Sequence, residues 1–190
     1  VVVAGDVMFD AAMYYRQFAK RPACDGLPDS DFILCTLHRA ENTDDRERIT
    51  SIITALTTLA EETAIVLPLH PRTKKLIGSH GLSLSHKNIL VIEPVSYLEM
   101  VWLLEHCRQV MTDSGGLQKE AYFFKKPCIT LRDETEWVEL VEAGANIIAG
   151  SNADKILRSY RQQKEIAASA YARQLYGDGN SGALILQSLS

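Results

Sequence analysis

The sequence predicts an α/β fold, a Rossmann-like, doubly wound parallel sheet, and two observations lead to that prediction. Longer amphipathic segments alternate with short runs rich in Val, Ile and Leu. Alternation of this kind implies βαβ crossovers, which build a parallel sheet covered by helices on both faces. The predicted strands lie at residues 32–37, 64–69, 89–92, 109–112, 128–131 and 146–149.

The segments between the strands carry helical spacing and helix-end signals. Ile49, Ile52, Ile53, Leu56, Leu59 and Ala60 recur on one helical face. The Ser-x-x-Glu sequence at 96–99 is a capping-box pattern that opens a helix over 97–106, and residues 44–47 have the related Asp-x-x-Glu form. Further helices are predicted over 117–124 and 135–143, with Gly144 as the stop after the second.

Length and composition exclude several classes of protein. The chain has 190 residues, 46% of them hydrophobic, and its 11 Gly and 6 Pro are too few for a disordered or fibrous protein. No apolar run approaches the roughly 20 residues of a membrane span. A net charge of −4 with scattered Lys and Arg predicts neither nucleic-acid nor membrane partners. Four widely spaced cysteines without a CxxC pair indicate reduced core thiols and a cytoplasmic protein.

The first 30 residues differ from the rest of the chain. They combine a strand-like start at 1–5, a helical stretch around 11–20 and a segment at 21–29 that contains Pro22, Gly26 and Pro28. Such Pro and Gly punctuation is typical of a linker. We expect residues 1–30 to be a connection, residues 31–190 to be one α/β domain, and the chain to begin close to or within a strand, without a signal peptide.

Polar residues follow four of the predicted strands. In a parallel sheet ligands bind beyond the carboxyl ends of the strands, so these junctions should converge on one edge. The four junctions are His38-Arg39-Ala40-Glu41-Asn42, His70-Pro71-Arg72, Thr112-Asp113-Ser114-Gly115-Gly116 and Arg132-Asp133-Glu134-Thr135-Glu136.

The junction at Ser114, Gly115 and Gly116 predicts an anion site. Two glycines between a strand and a helix allow a tight turn that exposes backbone N–H groups at a positive helix end. A phosphate or diphosphate suits that position, and Glu120 one turn later could accept hydrogen bonds from a ribose. An ordinary tight turn with a solvated Glu120 is equally consistent with the pattern, because no GxGxxG or GKS/T motif is present.

His38, Arg39 and His70 place two imidazoles and a guanidinium after neighbouring strands. They could bind phosphate oxygens or transfer protons near neutral pH, although a lone histidine is more often structural. No carboxylate or thiol lies at zinc-ligand spacing from either histidine, so we expect no metal and no cofactor. Tyr97 and Met100 could pack on a flat base, but with Val101 and Leu104 they also fit a core face.

Taken together, these motifs resemble the non-hydrolysing UDP-N-acetylglucosamine 2-epimerase family. The resemblance covers nearly the whole chain, and its specificity lies in the order of the motifs. The matching residues are Gly5-Asp6 with Asp10, the junctions at 38–42, 70–71, 112–118 and 132–136, Glu93-Pro94 with Tyr97, Glu120, Lys126-Pro127 and Tyr176-Gly177-Asp178-Gly179-Asn180.

The resemblance implies a fold and a set of roles. The fold is the C-terminal half of the two-domain GT-B arrangement, with residues 1–30 as the end of the N-terminal domain and the crossover, and 31–190 as the UDP-binding domain with C-terminal helices. The substrate is a UDP-sugar, with the diphosphate on the loop at 114–116, the ribose on Glu120 and the uracil near Val95 and Met100. His38 is the implied catalytic residue beside the diphosphate and sugar. The other implied substrate-binding residues are Arg39, Glu41, Asn42, His70, Tyr97, Arg132 and Glu136.

The family reaction inverts C2 by eliminating UDP and adding it back. The acids that move the C2 proton belong to the N-terminal domain, which the 190 residues are too short to include. The partners expected are therefore that missing domain and, as a further candidate, a second copy in a homodimer. Trp137 stands where many relatives have Arg, which resembles the branch acting on UDP-2,3-diacetamido-2,3-dideoxyglucuronate. A GT-B glycosyltransferase donor domain and a UDP-sugar binding module without chemistry are the alternatives.

Overall fold

A six-stranded parallel sheet organises the computed structural model, which describes residues 2–163 and 168–189. The strand order is β3-β2-β1-β4-β5-β6, the order of a doubly wound nucleotide-binding sheet, so the predicted fold class is confirmed. All six strand predictions are confirmed to within two residues of their ends. The strands are β1 (Phe32–Thr36), β2 (Ile65–Pro68), β3 (Ile89–Ile92), β4 (Cys107–Thr112), β5 (Cys128–Thr130) and β6 (Asn146–Ile148).

Helices precede, connect and follow these strands. A 3₁₀ turn at Ala168–Tyr171 lies before the last helix. The α-helices in the described residues are α1 (Val7–Arg16), α2 (Ala40–Thr43), α3 (Arg46–Ala60), α4 (Pro71–Ser79), α5 (Tyr97–His106), α6 (Gly115–Phe123), α7 (Val138–Glu142), α8 (Ala153–Gln163) and α9 (Ser181–Leu189).

Two hydrophobic clusters cover the two faces of the sheet. On one face α3 and α8 pack on the sheet. Helix α3 does so through its predicted apolar stripe, which is buried from Ile49 to Ala60. On the other face Leu103 and Leu104 of α5 pack with Leu117 and Ala121 of α6. Because both faces are covered, the open space for a ligand lies at the strand ends.

Several predicted element ends were wrong, each because a side chain caps the backbone elsewhere. Residues 2–6 form no strand, and α1 begins at Val7 rather than near residue 11, because the Asp6 carboxylate accepts a hydrogen bond from Met8 N at 2.8 Å. Asp45, rather than Asp44, caps α3. Helix α7 is shorter than the predicted 135–143, because the Thr135 hydroxyl hydrogen-bonds both Gln118 and Trp137 N.

The cysteines are unpaired, and Cys35, Cys107 and Cys128 are buried in the core. Cys24 is half-buried, so the prediction that all four are core thiols was wrong for this one. Across residues 2–163 and 168–189, no helix has the length and apolar character to cross a membrane.

Candidate functional site

The site begins at the point where the strand order reverses, between β1 and β4. Asp113 directly follows β4 and is fully buried there. Its carboxylate accepts hydrogen bonds from His38 N at 3.1 Å and Arg39 N at 3.0 Å, both in the junction after β1. Burial raises the pKa of Asp113, but the hydrogen bonds from the His38 side chain and from these N–H groups outweigh it and lower the pKa. One ionised carboxylate therefore ties the two junctions together.

Two side chains contact the Asp113 carboxylate, those of His38 and Asn42, and of these only His38 is exposed. Its Nδ1 lies 3.0 Å from Asp113 Oδ1, while about half of the side chain remains open, at 52% exposure. The hydrogen bond to Asp113 raises the pKa of His38 more than partial burial lowers it. The ring is thus held through Nδ1, and its contact with Asp113 favours the protonated imidazole.

Asn42 is buried at the same junction, and protein groups occupy its amide. Its Nδ2 donates to Leu131 O at 2.8 Å and to Asp113 at 3.3 Å, and its Oδ1 accepts from Arg48 at 3.1 Å. Asn42 is fully buried. The structure therefore places it behind Asp113, where it joins the ends of β1, β4 and β5.

Arg132 connects the last of the four junctions with the first. Its guanidinium donates to both oxygens of Glu136 at 2.9 Å and to Glu41 at 3.2 Å, although the residue itself is only 6% exposed. The hydrogen bond to Glu136 raises the pKa of Arg132. A hydrogen bond from its own backbone, followed by that from Arg132, lowers the pKa of Glu136. Arg132 is thus a buried cation that holds two exposed carboxylates.

The glycine loop forms the N-terminus of α6, which starts two residues earlier than predicted. Ser114 is the N-cap: its hydroxyl accepts from Leu117 N, and its own N–H donates to Thr112 at 2.9 Å. Gly115 and Gly116 are the first two helical residues, so their N–H groups have no acceptor within the helix. Gly116 is exposed. These two N–H groups are the donors that an anion at this edge would meet.

Glu120 lies one turn along α6, half-buried beside Tyr97 at the start of α5. The Tyr97 hydroxyl donates a hydrogen bond to the Glu120 carboxylate. Burial raises the pKa of Glu120, and that hydrogen bond lowers it in part. Burial, with the nearby Glu120 charge, also raises the pKa of Tyr97 to about 12. Val95 and Met100 are half-buried and pack against the core under this corner.

His70 is the site prediction that stands furthest from this arrangement. Its Nδ1 accepts a hydrogen bond from Arg72 N at 3.2 Å, which makes it the N-cap of α4. Among the described residues, none of its hydrogen bonds or ion pairs joins it to His38 or Asp113. The convergence of junctions is thus observed for His38, Asp113 and Arg132, and a role for His70 at the ligand remains a prediction.

Three further residues matter to this edge although the sequence analysis gave them no role. Asp113 joins the junctions, and a charge directly after an apolar strand was the signal for it. Gln118 and Lys119 are polar residues buried inside α6. Gln118 accepts from Thr135 and Asn146, which attaches α6 to β6 and to the loop after β5. In the part of the chain that the structure describes, no cluster of His, Cys, Asp or Glu could hold a metal ion.

Comparison with known proteins fits this geometry. The sequence profile of the family described as UDP-N-acetylglucosamine 2-epimerase matches residues 1–190. The chain belongs to this epimerase family. A UDP-2,3-diacetamido-2,3-dideoxy-D-glucuronate 2-epimerase from Pseudomonas aeruginosa is 50% identical over 194 residues, an alignment that covers all of this chain and 52% of that protein. The family resemblance predicted from the sequence is confirmed.

Solved structures of the epimerase family superpose on the whole chain. The Methanocaldococcus jannaschii UDP-GlcNAc 2-epimerase, crystallised with UDP-GlcNAc and UDP, has a TM-score of 0.86 and 37% identity, and the match covers 100% of this chain and 54% of that one. A spinosyn rhamnosyltransferase has a TM-score of 0.64 at 18% identity, a likeness of fold alone. The chain therefore spans about half the length of the relatives it matches.

Proposed function

We propose that this chain is the nucleotide-binding half of a UDP-sugar 2-epimerase that inverts C2 of a UDP-2-acetamido sugar. The observation that carries the proposal is the pairing of His38 with buried Asp113 next to the free N–H groups of α6. That arrangement places an imidazole and the backbone donors of a helix N-terminus at the strand edge, where a diphosphate would be stabilised. Family membership and the solved relative crystallised with UDP-GlcNAc and UDP support it.

We propose that residues 1–30 are the end of an N-terminal domain and the crossover, and that residues 31–190 are the UDP-binding domain. The half-length match to the relatives supports this division. The other domain would then form the opposite wall of the cleft and supply the acids that move the C2 proton. A homodimer and a cytoplasmic location remain predictions of the sequence.

In this proposal the substrate lies across the four junctions. The N–H groups of Gly115 and Gly116 bind the diphosphate beside Ser114, Glu120 accepts from the ribose, and Val95 and Met100 border the uracil. Tyr97 holds Glu120, and Asn42 holds Asp113, so both act through a neighbour. The remaining residues proposed around the diphosphate and sugar are Arg39, Glu41, His70, Arg132 and Glu136.

The reaction we propose proceeds by elimination and re-addition. A base in the other domain removes the C2 proton, the C1–O bond to UDP breaks, and the electron pair leaves with the diphosphate, giving an unsaturated 2-acetamido sugar. UDP then adds back to C1 as a proton reaches the opposite face of C2. The His38 imidazolium and the α6 N–H groups stabilise the departing UDP, because each stabilises the negative charge that grows on its oxygen.

Calorimetry with two nucleotides tests the binding site. Glu120→Ala should weaken UDP about ten- to a hundredfold, since a hydrogen bond to a charged group contributes about 1.5–3 kcal/mol. The same variant should weaken 2′-deoxy-UDP much less. Glu61→Ala, on an exposed carboxylate at the far end of α3, is the matched control and should change neither affinity. Equal losses of affinity for both nucleotides would show that Glu120 does not contact the ribose. An unaltered chain that bound no UDP would refute the proposed function.

A UDP-2,3-diacetamido-2,3-dideoxyglucuronate is the more specific candidate substrate. The 50% identity to the Pseudomonas aeruginosa enzyme supports it, as does Trp137 in the loop after β5. Comparison of kcat/KM for this sugar and for UDP-N-acetylglucosamine in the full-length enzyme distinguishes the two substrates.

A further inference from the structure

Trp137 contacts the glycine loop, yet the proposed function assigns it no task. The residue precedes α7, and its indole Nε1 donates a hydrogen bond to the Gly115 carbonyl oxygen at 2.8 Å. Gly115 is the first residue of α6, so this bond reaches the peptide that opens the helix. A bulky aromatic side chain thus fixes the backbone of the loop proposed to bind the diphosphate.

The geometry of a peptide unit gives that hydrogen bond a directional consequence. In a planar trans peptide the carbonyl and the following N–H point in opposite directions. Because Trp137 holds the Gly115 oxygen on its own side, the Gly116 N–H points to the other side. A Cβ added at Gly116 would meet no atom within 4 Å apart from the adjoining backbone, whereas one at Gly115 would lie 3.2 Å from Glu136 Oε2.

Two further contacts hold Trp137 in place. Its backbone N–H donates to the Thr135 hydroxyl at 3.1 Å. The Lys119 ammonium lies 4.3 Å from the ring centroid of Trp137 and 5.0 Å from that of Tyr176. A side chain clamped in this way loses little entropy when its N–H makes a hydrogen bond.

Lys119 is anchored in turn by the N-terminal segment. Its side chain is 7% exposed and forms an ion pair with Asp6, the residue that caps α1. Asp6 N also donates to Tyr176 O at 3.0 Å, so the same cluster joins residues from both ends of the chain. An unbroken series of contacts therefore runs from Asp6 through Lys119 and Trp137 to the Gly115 carbonyl.

We propose that Trp137 is a positioning residue that aims the Gly115–Gly116 peptide at the diphosphate, and that Lys119 holds Trp137 in place. The inference rests on the proposed function for the identity of the ligand. The orientation of the peptide is a property of the free protein, so the two can be tested separately.

The first experiment examines the unliganded chain by ¹H–¹⁵N NMR with amide hydrogen exchange. Trp137→Phe keeps an aromatic ring for Lys119 and removes the indole donor together with part of the ring. We expect the Gly116 and Leu117 amide signals to shift and their exchange to accelerate. Trp102→Phe is the matched control, because the only other Trp stacks on His106 in α5 and should leave both signals in place. Unmoved Gly116 and Leu117 signals in Trp137→Phe would overturn the inference.

The second experiment compares UDP with uridine, which lacks the diphosphate. Trp137→Phe should weaken UDP about three- to tenfold, the range of one ordinary hydrogen bond, and should change uridine binding by less than about twofold. Equal weakening of both ligands would overturn the positioning role, because it would indicate a general loss of the fold. If the unaltered chain bound no UDP, the proposed function would fail, and the NMR comparison would still decide the orientation of the peptide.

Lys119 variants test the second half of the inference. Lys119→Met keeps the aliphatic stem and removes the charge, so we expect it to reproduce part of the Trp137→Phe shift at Gly116. Lys119→Arg retains a cation for Asp6 and the rings and should restore the original signal. A Gly116 amide unaffected by Lys119→Met would show that Trp137 is held without Lys119.

Discussion

His38 and His70 follow neighbouring parallel strands, yet the structure gives them different partners. His38 follows β1, whose other neighbour is β4, and its ring meets the buried Asp113 at the end of that strand. His70 follows β2, whose other neighbour is β3, and its ring caps its own helix. The comparison shows that the partner of a histidine at a strand end depends on which strand lies beside it in the sheet and on the residue that follows that strand.

The largest test of this comparison removes Asp113. Asp113→Ala removes the acceptor of His38 N and of Arg39 N, and one of the two acceptors of Asn42 Nδ2. We expect a loss of about 3 kcal/mol in the free energy of unfolding measured with urea, because each orphaned buried donor costs about 1–3 kcal/mol and local relaxation recovers part of it.

The matched change at the other junction is His70→Ala, which removes a single helix cap. Its expected cost is about 1 kcal/mol. Asp113→Asn, which retains one acceptor oxygen, should fall between the two. Similar losses at both junctions would contradict the view that only the β1 and β4 junctions share a buried network.

A smaller effect is expected on nucleotide affinity. His38→Gln should weaken UDP about tenfold in calorimetry, because a charge-assisted hydrogen bond to phosphate contributes about 1.5 kcal/mol or more. His70→Gln should change the affinity by less than about twofold if capping is its whole role. A tenfold loss for His70→Gln would instead support the prediction from the sequence that His70 contacts the substrate.

The two histidines also show how far the sequence could go. Periodicity and helix-end signals were enough for the six strands, for α5 and for the buried stripe of α3, because these patterns are local. The sequence also predicted that the junctions share an edge, since all parallel strands end on the same side. The order of the strands in the sheet is a tertiary property, so which histidine would meet Asp113 could not be read from spacing.

The burial of polar residues was the other feature that could not be predicted from the sequence. Lys119 lies in α6 between Gln118 and Glu120, and in a sequence such a run indicates a solvated helix face. In the folded chain Lys119 is buried because Asp6 neutralises its charge and the rings of Trp137 and Tyr176 cover it. Each of these partners lies more than about 15 residues away in the sequence. Long-range partners of this kind leave no local signal. The family motifs containing Asp6 and Tyr176 marked these residues, without indicating that they meet Lys119.

The smallest effect concerns the pH dependence that Asp113 imposes on His38. Because the folded pKa of His38 is raised above its ordinary value of 6.5, the His38–Asp113 pair contributes stability that is fully present below pH 6.5 and is lost as the pH rises through the raised pKa. With half of the imidazole exposed, we expect this contribution to be only about 0.5 kcal/mol. The measurement is the difference in unfolding free energy between the unaltered chain and His38→Gln across that window, which cancels the titration of the other histidines.

NMR titration of the His38 ring should show its pKa falling in Asp113→Asn, since the neutral amide no longer favours the imidazolium. The lowered pKa of Asp113 acts in a separate window, because its contribution is present above 3.8 and is lost as the pH falls through the lowered value. An unchanged His38 pKa in Asp113→Asn would contradict the comparison, because Asp113 would then not be the residue that distinguishes His38 from His70.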